Sequence, residues 1–225
     1  THPDGIPGDT TCPYCSKTCK HTDMDSTTGK CTECGTMIAT ISVTAGENVS
    51  YYNDLSAAVS KAAENNGSTV KLLENVALSG DNNIYIEAGV FTIDWNGCTL
   101  TGERDNNLLT IEKAEVTLTD TSDKKDGGVR NTKQGVAVCI SDSSKVKIQG
   151  GHYAPMVQKY AGSATVQISG GVFEYSADSG QSCALDGGSN SLSDLMVEGY
   201  ALFKDEACTQ IIDLYNAKNT PEATT

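Results

Sequence analysis

From Val70 onward, apolar and polar positions alternate in short β-branched runs set between Gly, Asn, Asp and Ser clusters, the pattern of strands with one buried face. The clearest pair is Val146-Lys-Ile148-Gln-Gly150-Gly151-His152-Tyr153 and Val166-Gln-Ile168-Ser-Gly170-Gly171-Val172-Phe173, offset by 20 residues. Looser copies stand at Val70-Lys-Leu72, Phe91-Thr-Ile93, Val116-Thr-Leu118 and Leu195-Met-Val197, giving successive offsets of 21, 25, 30, 20 and 29. Many copies carry a second short strand upstream, as in Ile84-Tyr-Ile86, Leu108-Leu109-Thr-Ile111 and Val136-Ala-Val138-Cys-Ile140. Such periods, with two to three strands in each, predict an all-β solenoid of the parallel β-helix type. In it Val116, Val146 and Val166 stack, as do Leu118, Ile148 and Ile168.

Helical spacing is confined to Asp54–Glu64, where Leu55, Ala58, Val59, Ala62 and Ala63 share one face. Asp54 is placed as an N-cap and Gly67 lies beyond the end, so one amphipathic helix is expected over 54–65.

Five of the nine cysteines fall within the first 34 residues, which marks 1–36 as a separate unit. Shifting this segment by 19 places His2 on His21, Asp4 on Asp23, Cys12 on Cys31 and Cys15 on Cys34, a tandem repeat. Soft thiolates and an imidazole at CxHx9CxxC spacing suit tetrahedral Zn²⁺. Two ligand sets stay open. One is Cys19, His21, Cys31 and Cys34 beside an incomplete first site containing His2, Cys12 and Cys15. The other is a four-cysteine ribbon of Cys12, Cys15, Cys31 and Cys34. The repeat favours the first; a disulfide cluster is the competing use of these thiols. In every case the role is structural, because so short a segment needs a staple to fold. Cys98, Cys139 and Cys183 each fall near a strand without CxxC spacing and read as small buried residues.

The run GSTVKLLENVALSG, the segment FTIDWNGCTLTG and the VxIxGGx[FY] rungs resemble the right-handed parallel β-helix, or pectate-lyase-like, repeats of bacterial surface proteins, over roughly residues 50–205. In those proteins an amphipathic helix commonly caps the first coil, the role this resemblance gives to Asp54–Glu64. The CxHx9CxxCG unit resembles cysteine-rich units in large secreted proteins of Gram-positive gut bacteria. That setting is also similar to superantigen proteins that capture immunoglobulin variable domains. The resemblance implies a secreted or cell-surface location.

Charge narrows the partners. Sixteen basic residues against 29 acidic ones give a net charge of −13, with Arg104 and Arg130 the only arginines, which argues against a nucleic-acid partner. No apolar run is long enough for a membrane span. A β-helix invites polysaccharide cleavage, and the loop TDTSDKKDGGVR offers Asp120, Asp123 and Asp126 as a candidate Ca²⁺ cluster near Arg130. Asp94, Asp142, Glu174 and Asp178 supply further carboxylates, but no spacing selects a catalytic pair. His152 follows a Gly-Gly turn and aligns with Val172, so it is not nominated as catalytic. Outward aromatics on adjacent rungs would form a binding platform, with Trp95, Tyr153, Tyr160 and Tyr175 as candidates.

The expected organisation is a Cys/His unit over 1–36, a short β-helix over 37–218 and a linker over 219–225, within a longer protein. The expected function is a non-enzymatic module that engages a host protein, immunoglobulin among the candidates. A carbohydrate-binding or polysaccharide-cleaving module and a structural spacer are the alternatives.

Overall fold

Buried residues alternate with more exposed ones along Ser68–Leu72, Ile84–Ile86, Thr99–Gly102, Glu115–Thr119 and Val157–Lys159, which dictates which side of each faces the core. The computed structural model describes residues 22–160, 162–175, 183–204, 210–211, 219–220 and 223–224. The elements in chain order begin with β1 (Met24–Asp25), β2 (Lys30–Cys31), β3 (Ile41–Ala45), β4 (Asn48–Tyr52) and α1 (Leu55–Ala63). They continue through β5 (Ser68–Leu72), β6 (Val76–Ala77), β7 (Ile84–Ile86), β8 (Val90–Asp94), β9 (Thr99–Gly102), β10 (Leu109–Glu112) and β11 (Glu115–Thr119). Next come β12 (Gly128–Asn131), β13 (Val138–Ser141), β14 (Lys145–Ala154), β15 (Val157–Lys159) and β16 (Thr165–Phe173). The last are β17 (Leu185–Asp186), a 3-10 turn Leu192–Asp194, β18 (Asn219–Thr220) and β19 (Ala223–Thr224).

Three parallel ladders organise these strands. The first, β5-β8-β11-β14-β16, aligns Val70, Ile93, Leu118, Ile148 and Ile168 on one register and Phe91, Val116, Val146 and Val166 on another. Both rows of the expected stack are therefore present, and all these residues are buried. The looser copy at Leu195-Met-Val197 extends the ladder by a single bridge, Ile168 to Met196. The second ladder, β6-β9-β12, continues onto the C-terminal halves of β14 and β16 and aligns Val76, Leu100, Val129, Tyr153 and Phe173. The third, β7-β10-β13-β15-β17, aligns Ile84, Leu109, Val138, Val157 and Leu185. Side chains from all three meet in one apolar core.

The fold departs from the expected β-helix. The first two ladders merge in the long strands β14 and β16 into one sheet of eleven strands, while the third is a separate sheet of six. Among the described residues five strand pairings are antiparallel: β1 with β2, β4 and β5 with β3, β19 with β16, and β18 with β17. The described chain is thus all-β with mixed sheets and one short helix, and forms no closed solenoid. The merger has a local cause. Gly150-Gly151 and Gly170-Gly171 sit where the register between β14 and β16 shifts, and there one strand bends from the first ladder into the second. β1 and β2 form a separate two-stranded sheet, while β3, β19 and β18 lie where ladders end and would otherwise leave unpaired N–H and C=O groups. Two of them, β18 and β19, fall in 219–225, the segment expected to be linker.

The helix matches its expectation closely. Asp54 Oδ1 accepts from the backbone N–H groups of Ser56 at 2.8 Å and Ala57 at 3.4 Å, and Leu55, Ala58, Val59 and Ala62 are buried. It lies across β3, β5, β7 and β8. Its fit requires Gly89, whose φ is +97° and where an added Cβ would lie 2.6 Å from Ala63 Cα.

Candidate functional site

The metal expectations are corrected. His2, Cys12, Cys15, Cys19 and His21 lie outside the described residues, as do Asp178 and Cys208. Of the proposed zinc ligands that leaves Cys31, buried at the end of the small hairpin, and Cys34, whose thiol donates to Thr36 Oγ1 at 3.3 Å. Two donors fall short of a tetrahedral set. Among the described residues no group of three or more His, Cys, Asp or Glu side chains is arranged to hold a metal ion.

That finding also removes the Ca²⁺ cluster at Asp120, Asp123 and Asp126, for a visible reason. Asp120 is 2% exposed and both its oxygens serve the backbone. Oδ1 accepts from the N–H of Gly97 at 3.0 Å and Ser122 at 2.9 Å, and Oδ2 from Gly127 at 2.7 Å. Burial pushes this carboxyl's pKa up, but the hydrogen bonds from Ser122, Gly127 and Gly97 outweigh it and hold the pKa below its ordinary value. Asp123 and Asp126 are exposed on the loop beyond. Asp94, one rung away and 4% exposed, acts in the same manner, accepting from Asn96 N–H, Thr121 N–H and Thr121 Oγ1. The carboxylates of this corner fasten turns.

The aromatic platform is also corrected. Trp95 and Tyr153 are fully buried and reach no ligand. Trp95 Nε1 donates to the Tyr153 hydroxyl at 3.1 Å, which in turn donates to Gly150 O at 2.7 Å. Tyr153 stacks on Phe173 with centroids 5.7 Å apart. Burial drives the Tyr153 hydroxyl's pKa well above its usual value. Tyr175 is half-buried against the core, and Tyr160, 74% exposed, is the remaining candidate at the surface.

Three surface features escaped the sequence reading. The outward rows of the first ladder align Thr69, Thr92, Thr117, Lys147 and Gln167 on one register and Val90, Glu115, Lys145 and Thr165 on the next. Thr44 of β3 extends the first row, and Lys145 Nζ lies 3.8 Å from Glu115 Oε2. These polar positions alternate with the apolar ones already read as core, so the same periodicity contains them. On the second ladder, His152 Nε2 is 2.7 Å from Glu174 Oε2, which also lies 3.4 Å from Arg130 Nη2. They come from three adjacent strands or their ends, and no local motif announces the cluster. The third is a cleft of ≈ 340 Å³ between the start of α1 and the segment 76–83. Its lining includes Asn53, Ser56, Ser79, Asn82 and Asn83 around Leu55, Val76 and Leu78.

No family model, curated protein or solved structure matches this chain. With mixed sheets in place of a closed coil, the resemblance to pectate-lyase-like repeats of gut-bacterial surface proteins, and with it the link to immunoglobulin superantigens, is not upheld.

Proposed function

We propose that this chain is a non-enzymatic binding module that presents the outer face of its first ladder to a protein partner outside the cell. The observation that carries this reading is the row Thr69, Thr92, Thr117, Lys147 and Gln167, five polar side chains on five hydrogen-bonded parallel strands. Strands about 4.8 Å apart set these side chains on a fixed lattice roughly 19 Å long. Their inward neighbours are locked in the core, so little backbone freedom is lost when a partner docks, which favours affinity. Lys145, Lys147 and Glu115 add charges of both signs, suited to orienting a protein surface of complementary pattern.

The test is binding of the chain to a panel of serum and mucosal glycoproteins, immunoglobulins of different variable-gene families included, with a glycan array alongside. Thr117→Arg and Lys147→Glu alter the face without touching the core. The expected result is capture of a protein that either variant weakens by roughly tenfold or more, about 1.4 kcal/mol, while Tyr85→Ala on the other sheet leaves it unchanged. Capture indifferent to both face variants, or hits on glycans with none on proteins, overturns the reading.

A further inference from the structure

We infer that the cleft between the start of α1 and residues 76–83 is a subsite for an uncharged sugar, distinct from the ladder face. Its volume, ≈ 340 Å³, is at the lower end for small-molecule sites, which run from about 300 to 1,000 Å³. The chemistry of its walls selects the ligand. Ser56, Ser79, Asn82 and Asn83 make no side-chain hydrogen bond within the described residues, so two hydroxyls and two carboxamides are available. Each of these groups both donates and accepts, as do the adjacent hydroxyls of a pyranose ring, so one pair of neighbours on the sugar meets one side chain in either sense. Between them half-buried Leu78 and exposed Ala77 provide apolar contact for the C–H face of the ring.

Charge decides between neutral and acidic sugars. Among the described residues, the only ionisable one lining the cleft is Asp54. Its carboxylate already receives the first N–H groups of α1 and faces the positive end of that helix, which offsets its charge. A uronate or sialate would find no cation here and would meet a protein of net charge −13. A hexose or N-acetylhexosamine needs no cation, and meets dipoles and the Asp54 carboxylate, itself an acceptor for a sugar hydroxyl. The segment 79–83 is anchored at both ends: β6 is paired to β9, Leu78 N–H donates to Thr101 O, and Ile84 N–H donates to Leu108 O.

The experiment follows backbone and side-chain amide signals of the ¹⁵N-labelled chain while D-galactose, D-mannose, N-acetyl-D-glucosamine and N-acetyl-D-galactosamine are titrated in turn. D-galacturonate and N-acetylneuraminate serve as the charged comparison. The expected result is saturable shifts of the Asn82 and Asn83 NH₂ groups and of the Ser56 and Ser79 amides with at least one neutral sugar, at millimolar affinity. The double variant Asn82→Ala/Asn83→Ala should weaken that affinity by roughly tenfold, about 1.4 kcal/mol. Ser79→Arg, an exposed position that fills the mouth, gives the same loss should the double variant fail to fold. Thr117→Arg and Lys147→Glu leave the titration unchanged, which separates this site from the ladder face. The inference is overturned by an absence of saturable shifts with all four neutral sugars, by shifts located elsewhere, by tighter binding of the acidic pair, or by variants that bind as the parent does.

Discussion

At the scale of single residues, the decisive groups are polar side chains that replace backbone partners at the turns. Asp120 is the strongest case, since three N–H groups from Gly97, Ser122 and Gly127 converge on its two oxygens. Asp120→Asn keeps the shape but turns one acceptor into a donor, setting an NH₂ against an N–H or leaving that N–H unpaired. The expected cost is about 2 kcal/mol at neutral pH, as for other hydrogen bonds to a charged group. The carboxyl's folded pKa is below its ordinary value of 3.8, so its contribution is present above that value and is lost as pH falls through the folded pKa. Denaturant titrations should therefore show the gap between parent and variant closing in acid; a gap that is small at neutral pH or constant with pH would refute this role. The cysteines obey a similar local logic. Burial pushes the Cys139 thiol up to about 11, so at neutral pH it is a weak nucleophile. Cys139 lies on β13 and Cys183 just before β17, and β15 runs between these strands. Two strand spacings, about 9.5 Å, exceed the roughly 7 Å limit for a disulfide, so these two do not pair in this fold.

At the scale of elements, what the sequence revealed followed from strict periodicity, and what it hid followed from breaks in it. The helix, its cap and its buried face are carried by local spacing, and the stacking of Val116 with Val146 and Val166 by the offset of the repeat. Trp95 was within reach too: it keeps step with Phe91 and Ile93, both buried, so alternation alone assigns it to the core. Tyr153 was not. Counting by twos from Ile148 sends it outward, but the irregularity around Gly150 and Gly151 shifts the register and turns it inward. The antiparallel end strands were equally hidden, because edges are closed by segments distant in the chain. Close approach between elements makes a prediction here. Gly89 combines a φ of +97° with a backbone contact to Ala63 of the helix. Gly89→Ala must distort one or displace the other, at an expected cost of about 3 kcal/mol. Thermal unfolding read by circular dichroism checks this, and a melting point equal to the parent's would show that the helix docks less closely than described.

At the scale of the whole molecule, the question is whether three ladders behave as one body. A repeat array in which each rung meets only its neighbours loses stability locally when one rung is damaged. Here β14 and β16 belong to two ladders at once, and residues of all three ladders share a single core. Damage to a central rung is therefore transmitted sideways as well as along the stack. Ile148 tests this, since it is fully buried between Leu118 and Ile168 on the strand where the ladders join. Ile148→Asp places an unpaired carboxylate in that core, and the expected loss exceeds about 4 kcal/mol, enough to unfold a domain of ordinary stability. The milder Ile148→Ala, costing about 2–4 kcal/mol, keeps the chain folded for hydrogen exchange. In a single cooperative body, amides of β5 beside the helix and of β10 in the separate sheet lose protection together with those of β14. Loss restricted to β11, β14 and β16, with β5 and β10 protected as in the parent, would mean that the ladders fold as separate units and that the ladder face gains its rigidity from its own sheet alone.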